Sequence, residues 1–210
     1  MEMKRILFFV LLVFMGVASS AQERLDESRT QELMDQLSQV AASMQTMHCR
    51  FVQENNMSIL AEPSMSEGVM YYIASDKMRW EYVTPYAFAL VVNGDRLLKV
   101  EEGKVEAIEG RSGRMYRGMT NLIMDGVTGQ KLFDTSTFEV VFYDDEQLWR
   151  AEMTPLHSGM KRMFSKLVFR FDKSSGNIHD VDFMDASGNV TSIRFEDIRI
   201  NEEIEMDKFQ

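Results

Sequence analysis

The sequence predicts a mainly β protein with a few helices: an incomplete, half-open antiparallel β-barrel of about eleven strands, with an N-terminal amphipathic helix and a central plug helix in its concavity. Three observations carry this. Apolar residues recur with a helical period near the start and once midway, and with a period of two elsewhere. Turn pairs separate the period-two runs, which joins consecutive strands into hairpins. The strands also read asymmetrically, apolar on one face and charged on the other. A strongly twisted open sheet rarely exceeds about ten strands, and only two helices are available to cover the apolar face, so the sheet is expected to curl around them.

Ahead of the first helix, Lys4 and Arg5 precede an apolar stretch from Ile6 to Met15 and a mostly small run ending Ser19-Ser20-Ala21. This is the order of a cleavable signal peptide over residues 1–21, and cleavage is expected after Ala21. The apolar stretch is shorter than the roughly 20 residues a membrane helix needs. Residues 22–210 are expected to form one exported, unanchored domain, monomeric and without a cysteine at its start.

Composition narrows the partners. Losing Glu2, Lys4 and Arg5 from 23 Lys+Arg and 33 Asp+Glu leaves 21 bases against 32 acids, a net charge of −11. Nucleic-acid binding needs a basic footprint and is not expected, and adsorption to anionic membranes is disfavoured. Cys49 is the only cysteine, so no intramolecular disulfide can form and the core alone must hold the fold.

Between Asp26 and Met47, Leu33, Met34, Leu37, Val40, Ala41 and Met44 fall on one helical face, with Ser28 and Gln31 spaced as a capping box. The period then becomes two. Cys49, Phe51 and Gln53 alternate with Arg50, Val52 and Glu54, and strands follow at 69–73, 79–83 and 86–92. Asn93-Gly94 and Glu102-Gly103 read as hairpin turns. From Gly113 to Asp125 the helical period returns, with Met115, Met119, Leu122 and Ile123 on one side. Strands resume at 137–143, 148–153, 166–172, 179–184 and 190–198, with turns at 174–177 and 187–189.

By parity, Met78, Trp80 and Tyr82, then Phe138, Val140 and Phe142, then Leu167, Phe169 and Phe171 share one face, opposite Arg79, Glu81, Glu139, Arg170 and Asp172. Such a face is either plain core beneath the helices or the lining of a cavity, and periodicity does not separate the two. Methionines on the two helices (Met34, Met44, Met115, Met119) suit a surface that repacks, because the thioether chain is flexible.

The polar residues do not compose an active site. His48 adjoins Cys49, but neighbours in a strand point to opposite faces. His157 with Ser158 is an adjacency without a third group, and His179 beside Asp180 lacks metal-ligand spacing, so no metal site is expected. Asp144-Asp145-Glu146 lacks the alternation of a calcium loop and reads as a solvated hairpin tip. Gly110 to Gly118 lacks the ending of a phosphate loop and reads as a connector.

Taken in order, the amphipathic first helix, Phe51-x-Gln53, Gly68, the block Arg79-Trp80-x-Tyr82-x-x-Pro85, the apolar strand and Asn93-Gly94 resemble the periplasmic outer-membrane lipoprotein carrier family, LolA, across about Met34 to Val100. Beyond that span the likeness is architectural. The resemblance implies a periplasmic carrier without cofactor or enzymatic activity. Its apolar cavity would hold lipoprotein acyl chains, taken from an inner-membrane transporter and passed to an outer-membrane acceptor. On this reading Phe51, Met70, Tyr72, Met78, Trp80, Tyr82, Leu90, Phe138 and Phe169 line the cavity, and Met115, Met119 and Leu122 form its lid. One departure stands out. Where the family often has an Arg-Pro pair whose arginine helps latch the empty state, this chain has Ala74 and Ser75. A lipid-sensing or regulatory binding module of the same half-barrel fold is the alternative.

Overall fold

The computed structural model describes residues 23–74, 76–110, 113, 117–118, 120–124 and 133–210. A short strand β1 (Glu23–Arg24) leads into helix α1 (Glu27–Ala42). Six strands follow: β2 (Thr46–Asn56), β3 (Ser64–Ile73), β4 (Lys77–Thr84), β5 (Phe88–Asn93), β6 (Arg96–Glu101) and β7 (Lys104–Ala107). Residues 120–124 are helical, and then come β8 (Phe138–Asp145), β9 (Leu148–Pro155), a single helical turn (Ser158–Lys161), β10 (Lys166–Asp172), β11 (Ile178–Met184), β12 (Val190–Ile200) and a terminal 3-10 turn (Met206–Phe209).

All twelve strands form one antiparallel sheet in the order β1-β8-β9-β10-β11-β12-β2-β3-β4-β5-β6-β7. Two hairpin meanders, β2–β7 and β8–β12, are thus joined where β12 pairs with β2 through Ile193↔Gln53 and Phe195↔Phe51. The outer strands β1 and β7 do not meet, so the sheet is a half-open barrel as expected, with six strands after the first helix and five after the central one. The additional strand β1 registers Glu23 and Arg24 on Asp144 and Tyr143. Two residues carry no period, which is why the sequence pattern does not reveal it.

Element ends differ from expectation for local reasons. The N-cap of α1 is Asp26, whose Oδ1 accepts the Arg29 backbone N–H at 2.8 Å, so the Ser28–Gln31 capping box is replaced by a cap two residues earlier. A carboxylate there also meets the positive end of the helix dipole. The helix stops at Ala42 rather than continuing to Met47, because β2 begins at Thr46 and takes Met47 into its own alternation. The β5–β6 loop is Gly94-Asp95, since Asn93 pairs with Arg96, and of the two only Gly94 has positive φ. The turn therefore sits one residue later than the Asn93-Gly94 pair and is not type I′. Glu102-Gly103, with φ of 51° and 75°, is a two-residue loop in the expected place.

The concave face and the helices bury one continuous cluster, running from Leu33 and Leu37 of α1 through Phe51, Met70, Trp80 and Leu90 to Phe142, Phe169 and Phe183. A smaller cluster lies on the convex side, where Phe209 covers Ala89, Val91 and Leu98. The C-terminal turn is tied there by Arg79 Nη1 donating to the Lys208 carbonyl at 3.2 Å and Asn93 Nδ2 to the Phe209 carbonyl at 3.2 Å.

Candidate ligand-binding concavity

The concavity is built from strand parity. On β2, Cys49, Phe51 and Gln53 face inward. Register then places Met70 of β3 opposite Cys49, Trp80 of β4 opposite Met70, and Leu90 of β5 opposite Trp80. This row of cross-strand neighbours is the unit that stabilises a sheet face.

Aromatic rings continue the row along the strands. Phe51 stacks on Trp80 at 4.0 Å between centroids and meets Tyr82 edge-on at 5.4 Å, while Tyr82 stacks on Phe88 at 4.7 Å. Phe195, brought in by the β12–β2 pairing, meets Trp80 edge-on at 6.2 Å. In the other half, Phe133 packs on Phe142 and Phe171, and Phe169 lies near Phe171 and Phe183.

Phe51, Met70, Tyr72, Met78, Trp80, Leu90, Phe138 and Phe169 are all buried in the main cluster, and Tyr82 packs against it half-buried. Leu122 is buried in that cluster with Ile123 beside it. Met115 and Met119 lie outside the described residues. Ala74, at the position of the family's arginine, is half-buried against the cluster, and its N–H donates to the Gln45 carbonyl at 2.8 Å. Ser75 is outside the described residues.

Beneath the central helical segment lies a pocket of about 30 Å³, bounded by Gln53, Trp80, Tyr82, Leu90, Thr120, Ile123 and Ile193. This is room for one or two waters, far less than an acyl chain occupies. Its wall is apolar except at one end. The Tyr82 hydroxyl donates to Gln53 Oε1 at 2.9 Å, Gln53 Nε2 donates to Asn55 Oδ1 at 3.0 Å, and the buried Thr120 hydroxyl donates to the Arg117 carbonyl at 3.1 Å. Gln53, Thr120, Ile123 and Ile193 were not among the expected lining. Gln53 could have been found from its parity with Phe51, whereas Ile193 depends on a pairing some 140 residues apart in sequence.

Burial pushes the Cys49 thiol up to about 12, so it is a small apolar core group rather than a nucleophile. His48 lies on the opposite face, stacked on Tyr71 at 4.6 Å, and is held below its ordinary value by burial and then by the Arg199 cation. His157 precedes the turn Ser158–Lys161 without capping it through its side chain. In the acidic turn, Asp145 accepts from Arg150 Nε at 2.6 Å and Asp144 pairs with Lys173. The convex face is laced with further ion pairs, among them Arg79–Glu81 at 2.7 Å and Arg170–Asp182 at 2.9 Å.

Comparison with known proteins places this geometry. The family model described as outer membrane lipoprotein carrier protein LolA matches residues 42–210. Among solved structures, MucB aligns with a TM-score of 0.55 at 12% identity, over 87% of this chain and 62% of MucB. A chain of the Pseudomonas aeruginosa MucA/MucB complex aligns with a TM-score of 0.53 at 11% identity, over 87% of this chain and 60% of its own. This chain therefore spans about three fifths of those proteins. The Mycobacterium tuberculosis lipoprotein LppX aligns at 10% identity with a TM-score of 0.47, over 87% of this chain and all of LppX. No curated protein matches the sequence.

Proposed function

This chain belongs to the outer membrane lipoprotein carrier (LolA) family, and we propose that it carries lipoproteins through the periplasm with their acyl chains held in the concavity. Residues 1–21 act as the cleaved signal peptide, and residues 22–210 form the carrier domain. The chemistry is burial alone. Each CH₂ removed from water is worth roughly 0.8 kcal/mol, which holds a chain against water but gains nothing over a bilayer. A donor and an acceptor must therefore supply the direction, and an inner-membrane transporter and an outer-membrane acceptor fill those roles.

The observation that carries the reading is the aromatic and methionine-lined face, closed over a pocket of only about 30 Å³ by a short helical segment. Loading then means displacing that segment. Leu122 and Ile123 leave the buried cluster that holds Trp80 and Leu90, and acyl chain takes their place in a two-state exchange. The polar end at Gln53 and Tyr82 stays on the sheet and receives the amide or ester group at the head of the chain.

Trp80 provides the test. The sequence has two tryptophans, so Trp149→Phe leaves Trp80 as sole reporter. A synthetic diacylated lipopeptide shifts its emission and the same peptide without acyl chains does not. No shift with either peptide contradicts the reading. A regulatory module remains the second reading, because a MucB structure is of a complex with MucA. It predicts that a protein segment binds without acyl chains.

A further inference from the structure

Exposed large apolar side chains are not scattered over this molecule. Met57, Ile59 and Leu60 sit on the β2–β3 loop, Met65 at the start of β3, Val83 near the end of β4, and Tyr86 in the β4–β5 turn. Antiparallel register puts all of these at one end of the sheet, together with Val105 and Leu156. Of the exposed large apolar residues described, only Met206 lies elsewhere. The pocket under the central segment is bounded at that same end, by Gln53, Tyr82 and Ile193.

The most exposed residue is held in place. Ile59 is 88% exposed at the tip of the β2–β3 loop. The preceding Ser58 donates its N–H and hydroxyl to Asn189 Oδ1 at 2.9 and 3.1 Å. Asn189 is in turn gripped by Asp185, whose Oδ1 accepts its N–H at 2.9 Å and whose Oδ2 accepts its side-chain amide at 2.7 Å. The neighbouring β11–β12 loop thus braces an apolar tip toward water, where burial within the fold gives it no stability. Exposed apolar patches of this kind mark contact surfaces.

We propose that this rim docks on the surface of a lipid bilayer with electrically neutral headgroups. The apolar residues come from three loops and from the ends of three strands rather than from one element, a spread that suits a planar, deformable partner better than a shaped protein surface. Charge selects the same end. The segments there (57–63, 85–87, 102–103, 133–137, 156–165, 185–189) carry Glu62, Glu102, Asp134 and Asp185 against Lys161 and Arg162, a net of −2, while those that leave the opposite end (43–45, 74–76, 94–95, 146–147, 173–177, 201–210) carry seven acids against Lys173 and Lys208, a net of −5. Repulsion from membrane phosphates is therefore small at the rim, and the acidic body points away. Docking would bring the pocket mouth to the interface. The proposal rests on the rim and is independent of what the concavity carries.

Flotation of residues 22–210 with phosphatidylcholine vesicles tests it, beside the double variant Ile59→Glu, Leu60→Glu. The native protein floats with the vesicles, less so when phosphatidylglycerol is added, and the double variant loses at least about tenfold in binding while its thermal midpoint is unchanged. Asn189→Ala, which leaves the apolar residues in place and removes the brace, weakens flotation less. Native protein that stays out of the vesicle fraction, or a double variant that floats equally well, overturns the proposal. So does a native dimer that the double variant dissolves, which would assign the rim to a second copy of the chain.

Discussion

The ring of Phe51 lies across Gly68, its cross-strand partner, so closely that a Cβ at position 68 would stand 2.5 Å from Phe51 Cζ and 2.0 Å from the carbonyl oxygen of Glu81. The bare backbone lets the ring drop onto the sheet and stack on Trp80. This fixes the floor of the concavity.

Gly68→Ala is therefore expected to destabilise the protein by about 3 kcal/mol or more, because a backbone oxygen cannot yield as a side chain does. Urea unfolding checks this. Adding Phe51→Leu leaves the Glu81 oxygen in place and does not restore the loss. A rescue would mean that the ring alone requires the glycine.

Cys49 reports whether the β2–β3 floor opens. It is fully buried, and with its thiol pushed up to about 12 only about one part in ten thousand is thiolate near pH 8. A disulfide reagent is expected to label the native protein only at the rate of unfolding, and stoichiometrically in denaturant. Labelling within minutes in native buffer would show that the floor is accessible.

Asp185 lies below the usual carboxylate range, chiefly because the Asn189 side-chain amide donates to it, with the backbone N–H groups of Asn189 and Ser187. A depressed folded value means that its contribution is present above the unfolded value of about 3.9 and lost as pH falls through the lower folded value. Asp185→Ala should lower the thermal midpoint at neutral pH, and the gap to the native protein should narrow below about pH 4. A gap that stays constant through that range would contradict the assignment.

What the sequence makes legible follows from how local each signal is. Trp80 and Tyr82 of β4, or Leu167 and Phe169 of β10, declare their face through a two-residue period, and both lie on the buried or half-buried concave side. Turn chemistry marks the β6–β7 loop at Glu102-Gly103 and misses the β5–β6 loop by one residue because Asn93 remains in the ladder, whereas β3 starts at Ser64, five residues ahead of the expected Val69. Non-local features stay hidden. Nothing near Ile193 announces that it pairs with Gln53, and Phe209 gives no sign that it packs on the convex face over Val91. The exposed rim is also invisible to periodicity, since Ile59 and Tyr86 owe their exposure to loop position.

The central claim is that the concavity receives the acyl chains of lipoproteins. Native mass spectrometry of the protein purified from its own periplasm, without detergent, tests it most directly. The account predicts a population carrying the added mass of a lipid-modified polypeptide, lost when Tyr82, a half-buried lining residue that stays on the sheet, is replaced by Glu. Protein that carries only free lipid, or nothing at all, would contradict it.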